Sequence, residues 1–145
     1  MIALLQRVTE ARVSIAGGVR AEIGPGVLAL IGVRPTDDEA KARRLLDRML
    51  HYRIFADERD RMNLDLVQAG GSLLLVPQFT LAADTAKGLR PGFSRAAPAE
   101  QGRRLFAALE AFARAAHPRV ESGVFGADMQ VSLTNDGPVT IWLES

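Results

Sequence analysis

The sequence predicts a single α/β domain, residues 1–145, in which a mixed or largely antiparallel sheet packs two main helices on one side. Three observations carry this. The chain is rich in short apolar runs punctuated by Gly and Pro, and only two segments place apolar residues at helical spacing. Neither repeats nor low-complexity tracts interrupt a length that buries roughly two-thirds of the unfolded surface in one core.

In chain order, "MIALLQRV" and "ARVSIAG" read as two strands, Gly17-Gly18 as a turn, and "VRAEIG" as a strand with Val19, Ala21 and Ile23 on one face. "VLALIGV" (27 to 33) is apolar throughout, as expected of a central strand buried on both faces. Thr36 and Glu39 have capping-box spacing, and Ala42, Leu45, Leu46, Met49 and Leu50 then cover one arc of a helix. "RIFADERDRMNLDLV" reads as two short strands around a charged turn, followed by Gly70-Gly71 and the strand "SLLLVPQFTL". The Gly-, Pro- and Arg-rich stretch "AADTAKGLRPGFSRAA" is long enough for a functional flap. Pro98 suits the start of a second helix, along which Leu105, Phe106, Leu109, Phe112, Ala113 and Ala116 form one face as far as His117-Pro118. Three strands close the chain: "RVESGVF", "ADMQVSLT" and "VTIWLE".

Composition excludes several classes of function. There is no cysteine, so disulfides, thiolate catalysis, Cys-ligated zinc and iron–sulfur clusters are all excluded. No apolar run approaches the ~20 residues that span a bilayer. Arg7 and Arg12 follow the apolar start, whereas a signal peptide puts positive charge first, so no membrane partner and a cytoplasmic location are expected. A net charge of +1 argues against coating nucleic acid by bulk electrostatics, and DNA is not an expected partner. The charge is uneven, however. Residues 83–119 carry seven basic and three acidic side chains, hence +4 locally against −3 elsewhere, which leaves room for a local phosphate contact.

Side-chain chemistry is sparse. His51 falls on the polar arc of its helix and His117 precedes a proline, so both read as surface histidines without a triad partner. No spacing suggests a metal, and "DERDRMNLD" lacks the glycine and terminal glutamate of a calcium loop. No cofactor is expected. Two stretches stand apart from these rules. "VPQFTL" (76 to 81) ends a buried strand in polar and aromatic groups, and "TNDGPVT" (134 to 140) places Asp-Gly between apolar runs as a hairpin turn would, yet adds Pro138 where the returning strand must pair. Residue types alone favour a plain turn there.

Together with "QRV", "RIFAD...MN", "RPGF" and "GVFGADMQV", in this order from about Leu5 to Glu144, these two stretches resemble the D-aminoacyl-tRNA deacylases of the DTD family. The resemblance implies a three-layer β/β/α fold and hydrolysis of the ester of D-aminoacyl-tRNAs, and of glycine mischarged on tRNA. It places the family's Ser-Gln-Phe-Thr motif on Pro77, Gln78, Phe79 and Thr80 and its Gly-Pro motif, with a cis peptide, on Gly137 and Pro138. It also implies a homodimer in which Gly137, Pro138 and Val139 of one subunit enter the pocket of the other, while Phe79 and Met129 contact the terminal adenosine. Gln78, Phe79 and Thr80 would then be the catalytic set, acting through backbone donors on an activated ester with an ordered water.

Pro77 departs from the family serine and offers neither a hydroxyl nor an N–H. Thr80 keeps the motif's remaining hydroxyl. One account of the family makes this threonine the nucleophile. Another relies on backbone amides and the tRNA's own 2′-hydroxyl, and the lack of a nearby base favours a positioning role for Thr80. Two alternatives stay open: a non-catalytic module of the same fold that binds nucleic acid or a small ligand, and a free-standing synthetase-type editing domain.

Overall fold

The computed structural model describes all residues, 1–145. Its strands are β1 (Ile2–Ile15), β2 (Gly18–Ile23), β3 (Gly26–Gly32), β4 (Phe55–Ala56), β5 (Met62–Leu64), β6 (Ser72–Pro77), β7 (Val120–Ser122) and β8 (Gln130–Glu144). Its helices are α1 (Glu39–His51) and α2 (Ala99–Ala116), and a single 3-10 turn covers Phe79–Ala82.

The main sheet has the order β2-β1-β3-β6-β7, with β8 also on β1. β1 runs antiparallel to β2, β3 and β8, whereas β3, β6 and β7 are parallel, so the sheet is mixed. The uninterrupted apolar sequences of β3 and β6 have their expected cause: alternate residues serve two cores. Val27, Ala29, Ile31, Leu73 and Leu75 face the helices, and Leu28, Leu74 and Val76 face the other way. The helix-side core of 22 buried residues takes Leu45 and Met49 from α1 and Leu105 and Leu109 from α2. The second core joins Val8, Val13, Ala21 and Ile23 to Val131 and Leu133, so the far halves of β1 and β8, with β2, form an outer layer. The layers are therefore β/β/α, with both helices on one side.

Several expectations need correction. The two predicted N-terminal strands are one, β1, which continues through register shifts between Gln6 and Val8 and between Val8 and Glu10. The last two predicted strands are likewise one, β8. "TNDGPVT" is therefore not a hairpin turn: Gln6 pairs with Thr140 and Val8 with Asn135, so both flanks pair in the same direction with the same strand. Residues 136–139 are extruded between them as a wide bulge, and the Gly137–Pro138 peptide is cis. The cap of α1 is Asp38, whose carboxylate accepts from the Lys41 N–H at 2.8 Å. Thr36 is displaced from that role because Asp37 closes a turn on Arg34 first, through both its N–H and its carboxylate.

His51 is exposed as expected and meets Asp65 at 3.0 Å. His117 is not a surface residue. It follows Leu109 and Ala113 at four-residue spacing on the buried stripe of α2, and its Nε2 lies 2.9 Å from the Gly71 carbonyl.

Candidate active site

The corner after β6 is set by main-chain geometry. The Gln78 N–H donates to Ile31 at 2.7 Å and so extends the parallel β3–β6 ladder by one rung. That donor is consequently occupied and cannot serve an oxyanion, which corrects the expectation of three backbone donors. The 3-10 turn begins immediately afterwards, closed by Leu81 N–H to Gln78 and Ala83 N–H to Thr80. The N–H groups of Phe79 and Thr80 precede its first bond and donate to no protein acceptor, as at any helix start. Two adjacent donors are therefore left unpaired at this corner.

Beside them lies a cavity of about 300 Å³, lined by Val76, Pro77, Gln78, Phe79, Met129 and Val131 together with the Phe125–Asp128 loop. Phe79 is 54% exposed, and its ring meets Phe93 at 5.1 Å. Met129 is held from behind: the Val124 N–H donates to its sulfur at 3.4 Å, and a Cβ on Gly123 would stand 2.8 Å from that sulfur. Gly123 thus leaves room for the Met129 sulfur, while the Pro77 Cδ would be in ordinary contact with the same Cβ at 3.5 Å. N–H groups of β6 alternate between neighbours, so the one Pro77 lacks would have pointed toward the chain just after β7, where Gly123 still donates to Leu75 at 2.9 Å. A proline here therefore forgoes one further rung toward that chain and presents an apolar wall to the cavity.

Thr80 is exposed, and its hydroxyl lies 2.5 Å from the side-chain amide of Gln78. An amide is no general base in either orientation, so nothing at this corner activates the hydroxyl.

Gly137, Pro138 and Val139 are not gathered into this cavity. Gly137 lies six residues along β8 from Val131, which lines the cavity, a distance of roughly 20 Å in an extended strand. The bulge carrying them is braced by two side chains that sequence reasoning missed. The Asn135 side chain accepts from Val139 N–H at 2.6 Å and donates to the Val139 carbonyl at 3.2 Å, closing the bulge on itself. Arg7 donates to the Asp136 carbonyl at 2.9 Å and to Ile54 at 2.6 Å, tying the bulge to β1 and to the chain before β4. The only sequence signals for these braces were the "QRV" segment and a side chain with both donor and acceptor placed just before Asp-Gly-Pro. Gly137 itself has φ +139°, a conformation L side chains rarely adopt.

Residues 4–144 match the family model of the D-Tyr-tRNA(Tyr) deacylases. The chain belongs to this family. A relative from Cronobacter sakazakii, a D-aminoacyl-tRNA deacylase, is 60% identical over 144 residues, 99% of each chain. Another D-aminoacyl-tRNA deacylase, from Azotobacter vinelandii, is 59% identical over the full length of both. Among solved structures, one described as a c-Myc DNA unwinding element binding protein superimposes with a TM-score of 0.96 at 35% identity, covering 100% of this chain and 99% of that one. A probable eukaryotic D-amino acid tRNA deacylase shares the fold, with a TM-score of 0.89 at 18% identity over 99% and 98% of the two chains. The Gln78–Thr80 corner, Met129 and the Gly137–Pro138 bulge all lie inside the span that defines the family.

Proposed function

We infer that this chain hydrolyses the ester bond of D-aminoacyl-tRNA, releasing the free D-amino acid and a reusable tRNA. The family match over residues 4–144 carries this reading, and the paired free N–H groups of Phe79 and Thr80 beside an open cavity supply chemistry that suits it. In the mechanism we favour, water adds to the ester carbonyl carbon and the carbonyl electron pair moves onto oxygen. The two N–H groups hold that oxyanion, each preorganised donor of this kind being worth about 2.7–4 kcal/mol. The pair then returns, the bond to the ribose oxygen breaks, and that oxygen takes a proton. Gln78 fixes the Thr80 hydroxyl in a positioning role, and Phe79 and Met129 receive the terminal adenosine by stacking and sulfur contact.

The exposed backbone of Gly137 and Pro138, with Val139 behind it, is out of reach of its own cavity and available to that of a second copy. A rigid main-chain wall there would occupy the space an L side chain needs and leave the D direction open. Exclusion of that kind discriminates more sharply than fit to a pocket. Glycine has no side chain to exclude and would be cleaved too. This reading makes the protein a homodimer and places it in the cytoplasm with its substrate.

The test is deacylation of D-Tyr-tRNA, L-Tyr-tRNA and glycyl-tRNA by purified protein, with light scattering on the same sample. The expected result is cleavage of the first and third, sparing of the second, and a mass of twice 15.7 kDa. Equal loss of D and L esters overturns the chiral wall, and a monomeric mass overturns the shared site. Binding of tRNA without turnover would instead fit the non-catalytic module, toward which Pro77 and the DNA-element binding relative point.

A further inference from the structure

The flap between Ala83 and Pro98 has a function that the aminoacyl cavity does not absorb. Its base is pinned by two main-chain hydrogen bonds between Asp84 and Gly92, at 2.7 and 2.9 Å, which close off a tongue of seven residues, 85–91. The next residue, Phe93, packs on Phe79 at the cavity, so the tongue is fixed to the rim of the site. Asp84 is engaged at the base, accepting from Ala86 N–H at 3.1 Å and facing Arg95 at 3.7 Å.

Most cations of the basic segment 83–119 already have partners. Arg104 and Arg114 face Glu39 and Glu110, Arg103 and Arg119 reach the carbonyls of Phe125 and Gly70, and Arg95 faces Asp84. Lys87 and Arg90, at the tip of the tongue, touch no carboxylate and no carbonyl. Between them Leu89 stands wholly in solvent. Two unneutralised cations flanking an apolar side chain, on a tongue pinned beside a nucleotide pocket, match a polyanionic strand that leaves that pocket. A second copy of this chain, with a net charge of only +1, offers no such field.

We propose that Lys87 and Arg90 hold phosphates of the tRNA's single-stranded 3′ end as it leaves the aminoacyl site, with Leu89 against a base or sugar. This rests on the deacylase reading above. Arg90 lies two residues from Gly92, so its Cα is at most about 7 Å from the pinned base, and with its side chain it spans roughly 10 Å. That is the rise of about three phosphates of a stacked strand. The tongue would thus read backbone, not sequence, and separate tRNA from free aminoacyl esters.

The experiment is steady-state deacylation of D-Tyr-tRNA by wild type and by the double variant Lys87→Ala/Arg90→Ala from 50 to 200 mM KCl, with the D-tyrosyl ester of adenosine as a comparator lacking phosphates. KM for the tRNA should rise about three- to tenfold at low salt, with kcat unchanged, and the slope of log KM against log salt should fall by about 1.4, or ~0.7 per phosphate. The preference for tRNA over the short ester, as a ratio of kcat/KM, should shrink by the same factor. An unchanged KM and slope overturns the proposal. So does an equal loss on both substrates, which would make the tongue part of the cavity, or a monomeric mass for the variant, which would make it an interface. If wild type leaves D-Tyr-tRNA intact, the deacylase reading fails by itself. The tongue is then judged by the salt slope of tRNA binding in a filter assay, with the same difference of about 1.4 expected.

Discussion

The Gln78–Thr80 corner and the Asn135–Val139 bulge both leave backbone groups free of secondary-structure partners, but they do so by opposite means. The corner is where a ladder ends: Gln78 is held by a β3 carbonyl, the 3-10 turn starts, and two N–H groups are left over without help from any side chain. The bulge is an interruption within a ladder, and side chains hold it. Asn135 ties both polar main-chain groups of Val139, and Arg7 grips the Asp136 carbonyl. A corner made from main chain should tolerate a change of side chain at Thr80, since every residue but proline keeps the N–H there. A bulge made by side chains and one special backbone angle should tolerate little.

The largest effect should follow from disturbing that angle. In Gly137→Ala the new Cβ would meet Val139 Cγ2 at 2.8 Å and the Val139 nitrogen at 3.1 Å, at a φ of +139°. We expect deacylation of D-Tyr-tRNA to fall by about 100-fold or more, roughly 2.7 kcal/mol of barrier, while the far-UV spectrum is retained. Wild-type rates in this variant would remove the bulge from the site and break the comparison at once.

At the corner the effect should be smaller. Thr80→Ala should cost about tenfold or less in single-turnover rate and Thr80→Ser almost nothing, because the useful groups there are N–H donors that both variants keep. A collapse of several orders of magnitude in Thr80→Ala, or a trapped acyl-enzyme, would show the hydroxyl to be the nucleophile.

The smallest effect belongs to a surface tie outside both regions, between the chain after β3 and the end of β8. Arg34, just past β3, grips Glu144 near the end of β8 at 2.9 and 3.1 Å, and Trp142 Nε1–H adds a third bond. Arg34 first, and Trp142 next, lower the Glu144 pKa from 4.5 to about 2. A carboxylate whose folded pKa lies below its unfolded one stabilises above about pH 4.5 and loses that contribution as pH falls toward 2. The pair is exposed, so its share stays below about 1 kcal/mol. Glu144→Gln should therefore lower Tm at neutral pH by at most about 4 °C and flatten the acid limb of the Tm profile. A steep acid limb kept in this variant would assign that limb to other carboxylates.

What could be read in the sequence follows from where the physics is local. β3 and β6 were legible because burial on both faces removes polar residues altogether, and the two helices because their apolar arcs repeat every turn. β1 and β8 were each misread as two strands, since a shift of register breaks the alternation that marks a strand, while the partner that carries it across the break lies more than a hundred residues away. For the same reason Asp136-Gly137 resembled a hairpin. His117 was misplaced although its four-residue spacing from Ala113 was visible, because the following proline drew attention to the end of the helix. At the candidate site, Gln78, Phe79, Thr80 and the Gly-Pro pair were given roles only through family resemblance. Free N–H groups are a property of where a ladder stops, and no residue type announces that.

β1 obtains one of its long partners from the other end of the chain. Its pairing with β8 joins Ile2 to Glu144 and Ser14 to Gln130. At synthesis rates of ~5–20 residues per second, the 129 residues between Ile15 and Glu144 take between roughly 6 and 26 s to add. Throughout that interval the flank of β1 that β8 will cover is an open strand edge, rich in Ile, Leu and Val and able to accept any extended segment nearby. During translation this edge of β1 stays uncovered until the last strand has been made.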